Sequence, residues 1–422
     1  MASYENPAAI KILQLDIIKF DGSNRLSLLG QAYQMDIYES IFSPVIHFEL
    51  LLSDPVDLKN TYPMIGEEFV EVEFYTPGYE GKPTRFKFVV SSVEQVQYAP
   101  NNSGKTFVIK GNSEEILYDT FSLVNRRYQG IEIHQMVKSI CKEYLKTSKE
   151  VLVERTLGVQ DLLIVKKRAF QVIDMLRMRA SSAKGNLSEA FVFFENRYGF
   201  NFITIEQLFD TNKKNIGDRR FFFDTAVNSD LRNINFRNAL AIENASSVNS
   251  LMKIQQGGFI NRVYKYDFFT GEKSEVKTKF AEKFEKFKSP NDNPASISTQ
   301  AFMEKVVKKP TKTVLVPVDG SRPETHVAES VGIEHLFMNM LSQNIFRMRI
   351  YGDSIITTGD VIELNLPKTT AYSKSKTADD NLQSGNYLIS KVRHNIMFGS
   401  KQEYYNSLEI LNGSFVVRGW IW

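Results

Sequence analysis

The chain has 422 residues, enough for roughly two to four domains at about 150 residues each. Hydrophobic residues make up 42% and charged residues 24%, so a sizeable core is expected. The 52 basic and 49 acidic residues leave a net charge of only +3, which excludes a global attraction to nucleic acid or to an anionic membrane.

Residues 10 to 120 read almost wholly as strand. KILQLDIIKF, YQMDIYESIF, PVIHFELLL, EEFVEVEFYTP, TRFKFVVSSVEQVQY and KTFVIKG are rich in β-branched and aromatic residues. Asp21-Gly22, Pro77-Gly78 and Asn101-Asn102 punctuate them as turns. Repeated short strands with few helical signals predict a barrel or sandwich. The pattern then changes. Ile133, Met136, Val137, Ile140, Tyr144 and Leu145 share one face at helical spacing. A second helix is expected from Ala169 to Ala183, with Phe170, Ile173, Leu176 and Ala180 inward. AFVFFENRYGFNFITIEQL predicts two strands turning at Tyr198-Gly199.

Strand character returns over 231–272, ending FINRVYKYDFFTGE. KSEVKTKFAEKFEKFK places Val276, Phe280, Phe284 and Phe287 on one helical face, which predicts an exposed amphipathic helix. Residues 289–326 carry Pro290, Pro294, Pro310, Pro317 and Pro323, which predict a loop or extended arm. A last helix is expected around His335 to Ser342. From Asn344 to Asn412, Phe346, Met348 and Ile350 alternate with Arg347, Arg349 and Tyr351, and Ile362, Leu364 and Leu366 repeat the pattern. With Gly352-Asp353 and Gly359-Asp360 as turns, this stretch predicts a four-stranded antiparallel meander that closes into a barrel or covers its edges. The chain ends VVRGWIW, an apolar segment that needs a host surface, either this chain's core or a partner.

The fold class expected is β-rich α+β, with two antiparallel β-barrel domains bracketing a mixed α+β domain. Residues 1–120 form the first barrel. Residues 121–230 and 273–343 form the mixed domain with its helix and Pro-rich arm. Residues 231–272 and 344–412 form a discontinuous second barrel, and 413–422 is a C-terminal tail.

The chemistry-bearing residues are dispersed. His47, His134, His326, His335 and His394 show no metal-ligand spacing such as HExxH, and His394 reads as a structural residue of its strand. Cys141 excludes an intrachain disulfide and reads as a small buried hydrophobe. Gly104-Lys105-Thr106 lacks the glycine five residues earlier and precedes a strand, and Gln255-Gln256-Gly257-Gly258 matches no phosphate loop. No catalytic, cofactor-binding or metal-binding residue is therefore assigned, and no enzyme is expected. The N-terminal MASYENPAAIKILQLDIIKF lacks the layout of a signal peptide, and no apolar run approaches the ~20 residues of a membrane span. A soluble protein made in a reducing cytoplasm is expected.

IYESIFSPVIHFELLLSD and YPMIGEEFVEVEFYTP resemble the first tube-like barrel of the baseplate central hub proteins of contractile-tailed bacteriophages. AFQVIDMLRMRASSA with AFVFFENRYGFNFITIEQL resembles their middle domain. FINRVYKYDFFTGE, GDSIITTGDVIELNLP and SGNYLISKVRHNI resemble their split second barrel. The resemblance implies a virion protein of the tail baseplate and a homotrimer. Three chains would make a six-barrel ring joining the hexameric tail tube protein to the trimeric central spike protein, beside other baseplate proteins. DNA would pass the lumen without specific binding, so the lumen is expected to avoid strong positive charge. The alternatives are the hub of a related contractile injection or secretion machine, a glycan- or nucleic-acid-binding barrel using Arg347, Arg349 and Tyr351, and a peptidoglycan hydrolase.

Overall fold

The computed structural model describes residues 6–54, 62–98, 105–185, 189–213, 219–223, 237–246, 250–267, 270–279, 282, 291, 293–294, 312–318, 327–342, 344–367, 380 and 383–415. The chain opens with β1 (Lys11–Ile18), β2 (Arg25–Ser27), β3 (Ala32–Ser40), β4 (His47–Asp54), β5 (Phe69–Tyr75), β6 (Thr84–Tyr98) and β7 (Lys105–Ser113). There follow α1 (Glu115–Phe121), β8 (Leu123–Glu132), α2 (Ile133–Glu143), β9 (Glu150–Val153), β10 (Val159–Arg168), α3 (Ala169–Arg177), β11 (Phe191–Asn196), β12 (Gly199–Thr204) and α4 (Ile205–Lys213). Next come β13 (Arg220–Phe222), β14 (Ala241–Ser246), α5 (Ser250–Gln255), β15 (Ile260–Asp267), β16 (Lys273–Lys279), β17 (Asn293–Pro294), β18 (Lys312–Val318) and α6 (Val327–Leu341). The last are β19 (Asn344–Tyr351), β20 (Val361–Asn365), β21 (Gly385–Phe398), β22 (Gln402–Asn412) and β23 (Ser414–Phe415). The fold is β-rich α+β, as expected.

Alternation builds the first barrel. In β5, Val70, Val72 and Phe74 point inward while Glu71 and Glu73 point out. The strands run β3-β4-β7-β6-β5-β1 in antiparallel order. Two further strands close the ring. The far end of β21 pairs with β3, as His394 opposite Ile37 and Ile396 opposite Met35. The near end of β22 meets the segment before β1, where Tyr404 N–H donates to Ala8 O at 2.9 Å. Ile396 and Tyr404 therefore lie in the same core as Phe48, Phe74 and Phe88.

The second barrel uses the other half of the same hairpin. There β21 pairs with β20, and β22 pairs with β19, which pairs with β14. Then β13 pairs in parallel with β20, and its Phe222 bridges to Asn238 just before β14. The ring encloses Phe221, Phe346, Met348, Ile350, Ile362, Leu364, Tyr387, Ile389, Val392, Leu408 and Ile410. The expected meander is thus corrected. All four strands exist, but β19 lies beside β22 and not beside β20, because the chain between β19 and β20 crosses the barrel end instead of turning tightly.

The mixed region packs against the junction of the two barrels. Helix α2 buries Ile133, Met136, Val137, Ile140 and Cys141, and α3 buries Val172, Ile173 and Leu176. Both pack with β8, β10 and the β11–β12 hairpin around one core. Helix α3 ends at Arg177, short of the expected Ala183, although Ala180 is still buried. Helix α6 begins at Val327, a full two turns before His335, and packs on the β15-β16-β18 sheet.

The expected amphipathic helix over 273–288 is overturned where it can be seen: Lys273–Lys279 is strand β16, antiparallel to β15, with Val276 opposite Val263. KSEVKTK alternates Val276 and buried Thr278 with lysines, so it satisfies a period of two as well as one of 3.6, and the β15 ladder decides. In the Pro-rich arm, Pro294 and Pro317 stand in short strands, while Pro290, Pro310 and Pro323 lie outside the described residues, as do the tail Trp420 and Trp422.

Gly352, at the end of β19, lets the ring of Tyr404 lie against the backbone: a Cβ there would stand 2.0 Å from Tyr404 Cδ1. Gly352→Ala is expected to cost about 2–3 kcal/mol by overpacking, read as a lowered urea midpoint. Gly30→Ala, with nothing within 4 Å, is expected to stay within about 0.5 kcal/mol of the parent. Equal midpoints for the two variants would refute the close approach.

Candidate functional site

The stretch GDSIITTGD, which the sequence offers as two turns, is a buried loop wedged between both barrels and the mixed region. Ser354, Thr357, Thr358 and Asp360 are all buried. Toward the first barrel, Ser354 N–H donates to Thr76 Oγ1 at 2.9 Å, and Thr84 Oγ1 donates to Ser354 O at 2.8 Å. Toward the mixed region, Asn196 Nδ2 donates to Thr358 O at 3.2 Å, and Arg197 Nη1 donates to Ser354 O at 2.5 Å. Toward β13, Arg219 pairs with Asp360 at 2.7 Å. A buried loop is stable only when its polar groups find partners, and these do.

Glu39 of β3 anchors this loop to the shared hairpin. One carboxylate oxygen accepts from the hydroxyls of Thr357 and Thr358 and from Thr358 N–H at 3.0 Å; the other lies 3.2 Å from His394 Nε2. His394 Nδ1 is 2.7 Å from Tyr404 Oη and 3.0 Å from Asn406 Nδ2. The network assigns the ring proton to Nε2, which donates to Glu39 and leaves Nδ1 to accept. Asn406 Oδ1 accepts from Asp353 N–H at 2.6 Å. Burial raises the Tyr404 phenol well above its usual range, so it stays a neutral donor. Nothing here resembles a nucleophile with its base. The arrangement ties elements together.

The other singled-out residues disperse as the sequence suggested. His134 contacts Thr156, His335 lies at Gln256 O, and His47 sits at the exposed start of β4. His326 lies outside the described residues. Burial pushes the Cys141 thiol up to about 12, which keeps it protonated and inert. Lys105 and Thr106 are ladder residues of β7, and Gly257 follows α5 in a left-handed turn. Among the described residues no group of three or more His, Cys, Asp or Glu side chains could hold a metal ion. Among the described residues no helix is long and apolar enough to cross a membrane.

A surface, and not a pocket, is the feature that crosses the whole molecule. Strands β14-β19-β22-β21-β3-β4-β7-β6 form one continuous sheet spanning both barrels. Its outer face carries cations matched by carboxylates. Lys391 pairs with Glu409 at 2.8 Å and Arg347 with Glu409 at 3.8 Å. Arg393 grips Asp36 through two bonds of 2.9 Å, and Lys110 pairs with Glu94 at 2.8 Å. Arg349 lies over the Tyr405 ring at 4.3 Å. Arg347, Arg349 and Tyr351, expected to share a strand face, do so on this wall. No sequence signal marked Asp36 as the partner of Arg393, or Glu409 as the partner of Arg347 and Lys391, because strand pairing brings these residues together.

No family model matches the chain, and no curated protein matches its sequence. Its fold is that of phage tail proteins. The 43 kDa tail protein of prophage MuSo2 from Shewanella oneidensis superposes with a TM-score of 0.58 at 9% identity, over 95% of this chain and 98% of that one. A tail protein from Neisseria meningitidis MC58 superposes with a TM-score of 0.57 at 8% identity, over 96% of this chain and 97% of that one.

Two substitutions test the junction. Glu39→Ala leaves the Thr357, Thr358 and His394 donors unpaired and is expected to cost about 3–5 kcal/mol, measured by chemical denaturation; parent-like stability would remove Glu39 from this role. Burial pushes the Asp360 carboxyl from 3.8 up to about 6 despite its Arg219 partner. Between those values the unfolded chain binds fewer protons than the folded one, so this group's contribution falls as pH rises from about 4 to about 6. The full effect is about 3 kcal/mol. Asp360→Asn is expected to flatten the stability profile over that window, and an unchanged slope would contradict the burial.

Proposed function

We propose that this protein is a structural component of a phage tail, the central hub of its baseplate. The observation that carries the reading is that one chain closes two barrels on a shared hairpin, within a fold matched over nearly its whole length by tail proteins. Two barrels per copy let a threefold assembly offer six similar units to a sixfold tube on one face and a threefold spike on the other. The working units are the two barrels and the mixed region packed against them.

The wall supplies the means of closure. Along its described length β14 pairs only with β19, and β6 beyond Val90 pairs only with β7. These two free edges lie at opposite ends of one sheet. Edge-to-edge pairing of copies would bury both, leaving a ring without exposed strand edges. The face with paired cations would then line the lumen, where matched charge offers passing DNA no row of free cations. The hub of a related contractile injection or secretion machine shares this logic and differs in its partners.

Light scattering on the purified chain is expected to give three chain masses. Ala245→Pro, at the bulge where β14 leaves register with β19, blunts the exposed edge strand and is expected to leave a folded monomer. A parent that stays monomeric at high concentration, or a variant that still forms trimers, would count against this ring.

A further inference from the structure

We propose that the ribbon formed by β8 and β10 is a docking site for an extended, acidic strand of a partner polypeptide. Among the described residues these two strands pair only with each other. Their inner face, with Val124, Tyr128 and Ile164, is buried against α2 and α3. Their outer face carries exposed apolar side chains: Leu163 is 71% exposed, Val165 56%, Val159 47% and Leu123 49%. Long apolar strands with an open edge invite pairing, and natural edges are usually shielded by Pro, by inward charge or by a bulge. Here the ladder shifts register at Lys166, with φ of 49°, and again between Gln160 and Leu162, where the extra residue lies on β8. The β10 edge from Val159 to Ile164 therefore stays open to an added strand.

Charge selects the occupant. Arg127 stands directly opposite Leu163, and Lys166, Lys167 and Arg168 follow Val165. All four are exposed, and no ion pair engages Arg127, Lys166 or Lys167 among the described residues. Of the acids on the ribbon, Asp161 accepts from Gly130 N–H at 2.7 Å and Glu132 pairs with Arg155 at 3.6 Å. The wall across the two barrels differs, because its cations are matched by carboxylates. A strand with alternating apolar residues and carboxylates at one end would complete both the ladder and the charge. A single exposed ring, Phe121, adjoins the stripe, so successive nucleic-acid bases would find no stacking platform. This site depends on the ribbon alone and is independent of the proposed trimer.

The test uses the full chain and a fluorescent ten-residue peptide alternating valine with threonine and ending in three glutamates. A lysine-ended counterpart and a thymidine oligonucleotide are the comparison probes. The acidic peptide is expected to bind at least tenfold tighter than either, to weaken with salt, and to protect amides 159–164 from hydrogen exchange. Leu163→Asp and Lys167→Glu are each expected to weaken it at least tenfold with unchanged thermal unfolding. If Leu163→Asp fails to fold, Val165→Thr serves in its place. Absence of binding, equal binding of both peptides, tighter binding of the oligonucleotide, or parent-like binding by the folded variants would overturn the proposal.

Discussion

One hairpin belongs to two hydrophobic cores at once. Ile389, Val392, Leu408 and Ile410 fill the second barrel, while Ile396 and Tyr404, a few residues along the same strands, fill the first. Side chains on a strand alternate between faces, so a slip of one residue in the β21–β22 register would expel the apolar set from both barrels together. Each core therefore fixes the register that the other needs. The relative placement of the barrels follows from strand geometry, and no flexible linker intervenes between them.

Where the hairpin passes from one core to the other, its inward side chains are polar: His394, Asn406 and the hydroxyl of Tyr404. An apolar filling at this point would accept many packings. A hydrogen-bonded one accepts few, because each unmatched buried donor or acceptor costs about 1–3 kcal/mol. Glu39 from β3, and Asp353 with the two threonines from the loop before β20, complete the set. We read this junction as the device that makes the loop between β19 and β20 adopt one path. A second buried carboxylate cluster plays a similar part nearer the mixed region, where Lys149 bridges Glu115 and Glu195 at 2.7 Å each, and Glu195 also accepts from Ile46 N–H of the first barrel.

Much of this was legible in the sequence because it is local. Phe346, Met348 and Ile350 alternate in sequence and are all buried. The face of α2 from Ile133 to Ile140 is likewise buried as its spacing requires. What sequence could not supply was partnership between distant segments. Strand β20 lies beside β21 and β13, and no residue in VIELN announces either neighbour. KSEVKTK carried two periodicities, and only a ladder on β15 chose between them. GDSIITTGD has the composition of a surface turn, and its burial depends on Glu39, more than 300 residues earlier, and on Arg197 and Arg219. His394 read as a structural residue and lies at the centre of the junction, but its role comes from partners that no spacing rule connects.

The same chain treats its exposed strands in two ways, and the contrast bears on function. On the long wall, Arg393 holds Asp36 by two bonds and Lys391 holds Glu409, so these cations are answered within the protein. A surface neutralised pair by pair has little long-range field beyond a Debye length and so retains no passing polyanion. On the β8–β10 ribbon, apolar side chains stand beside Arg127, Lys166 and Lys167, and the field is left uncancelled. Self-pairing suits a face past which something must move, whereas unanswered charge beside exposed apolar groups suits a face that must hold something. Strands of the same kind can therefore serve two opposite tasks, through whether the acids that match their bases lie in this sequence or in another's.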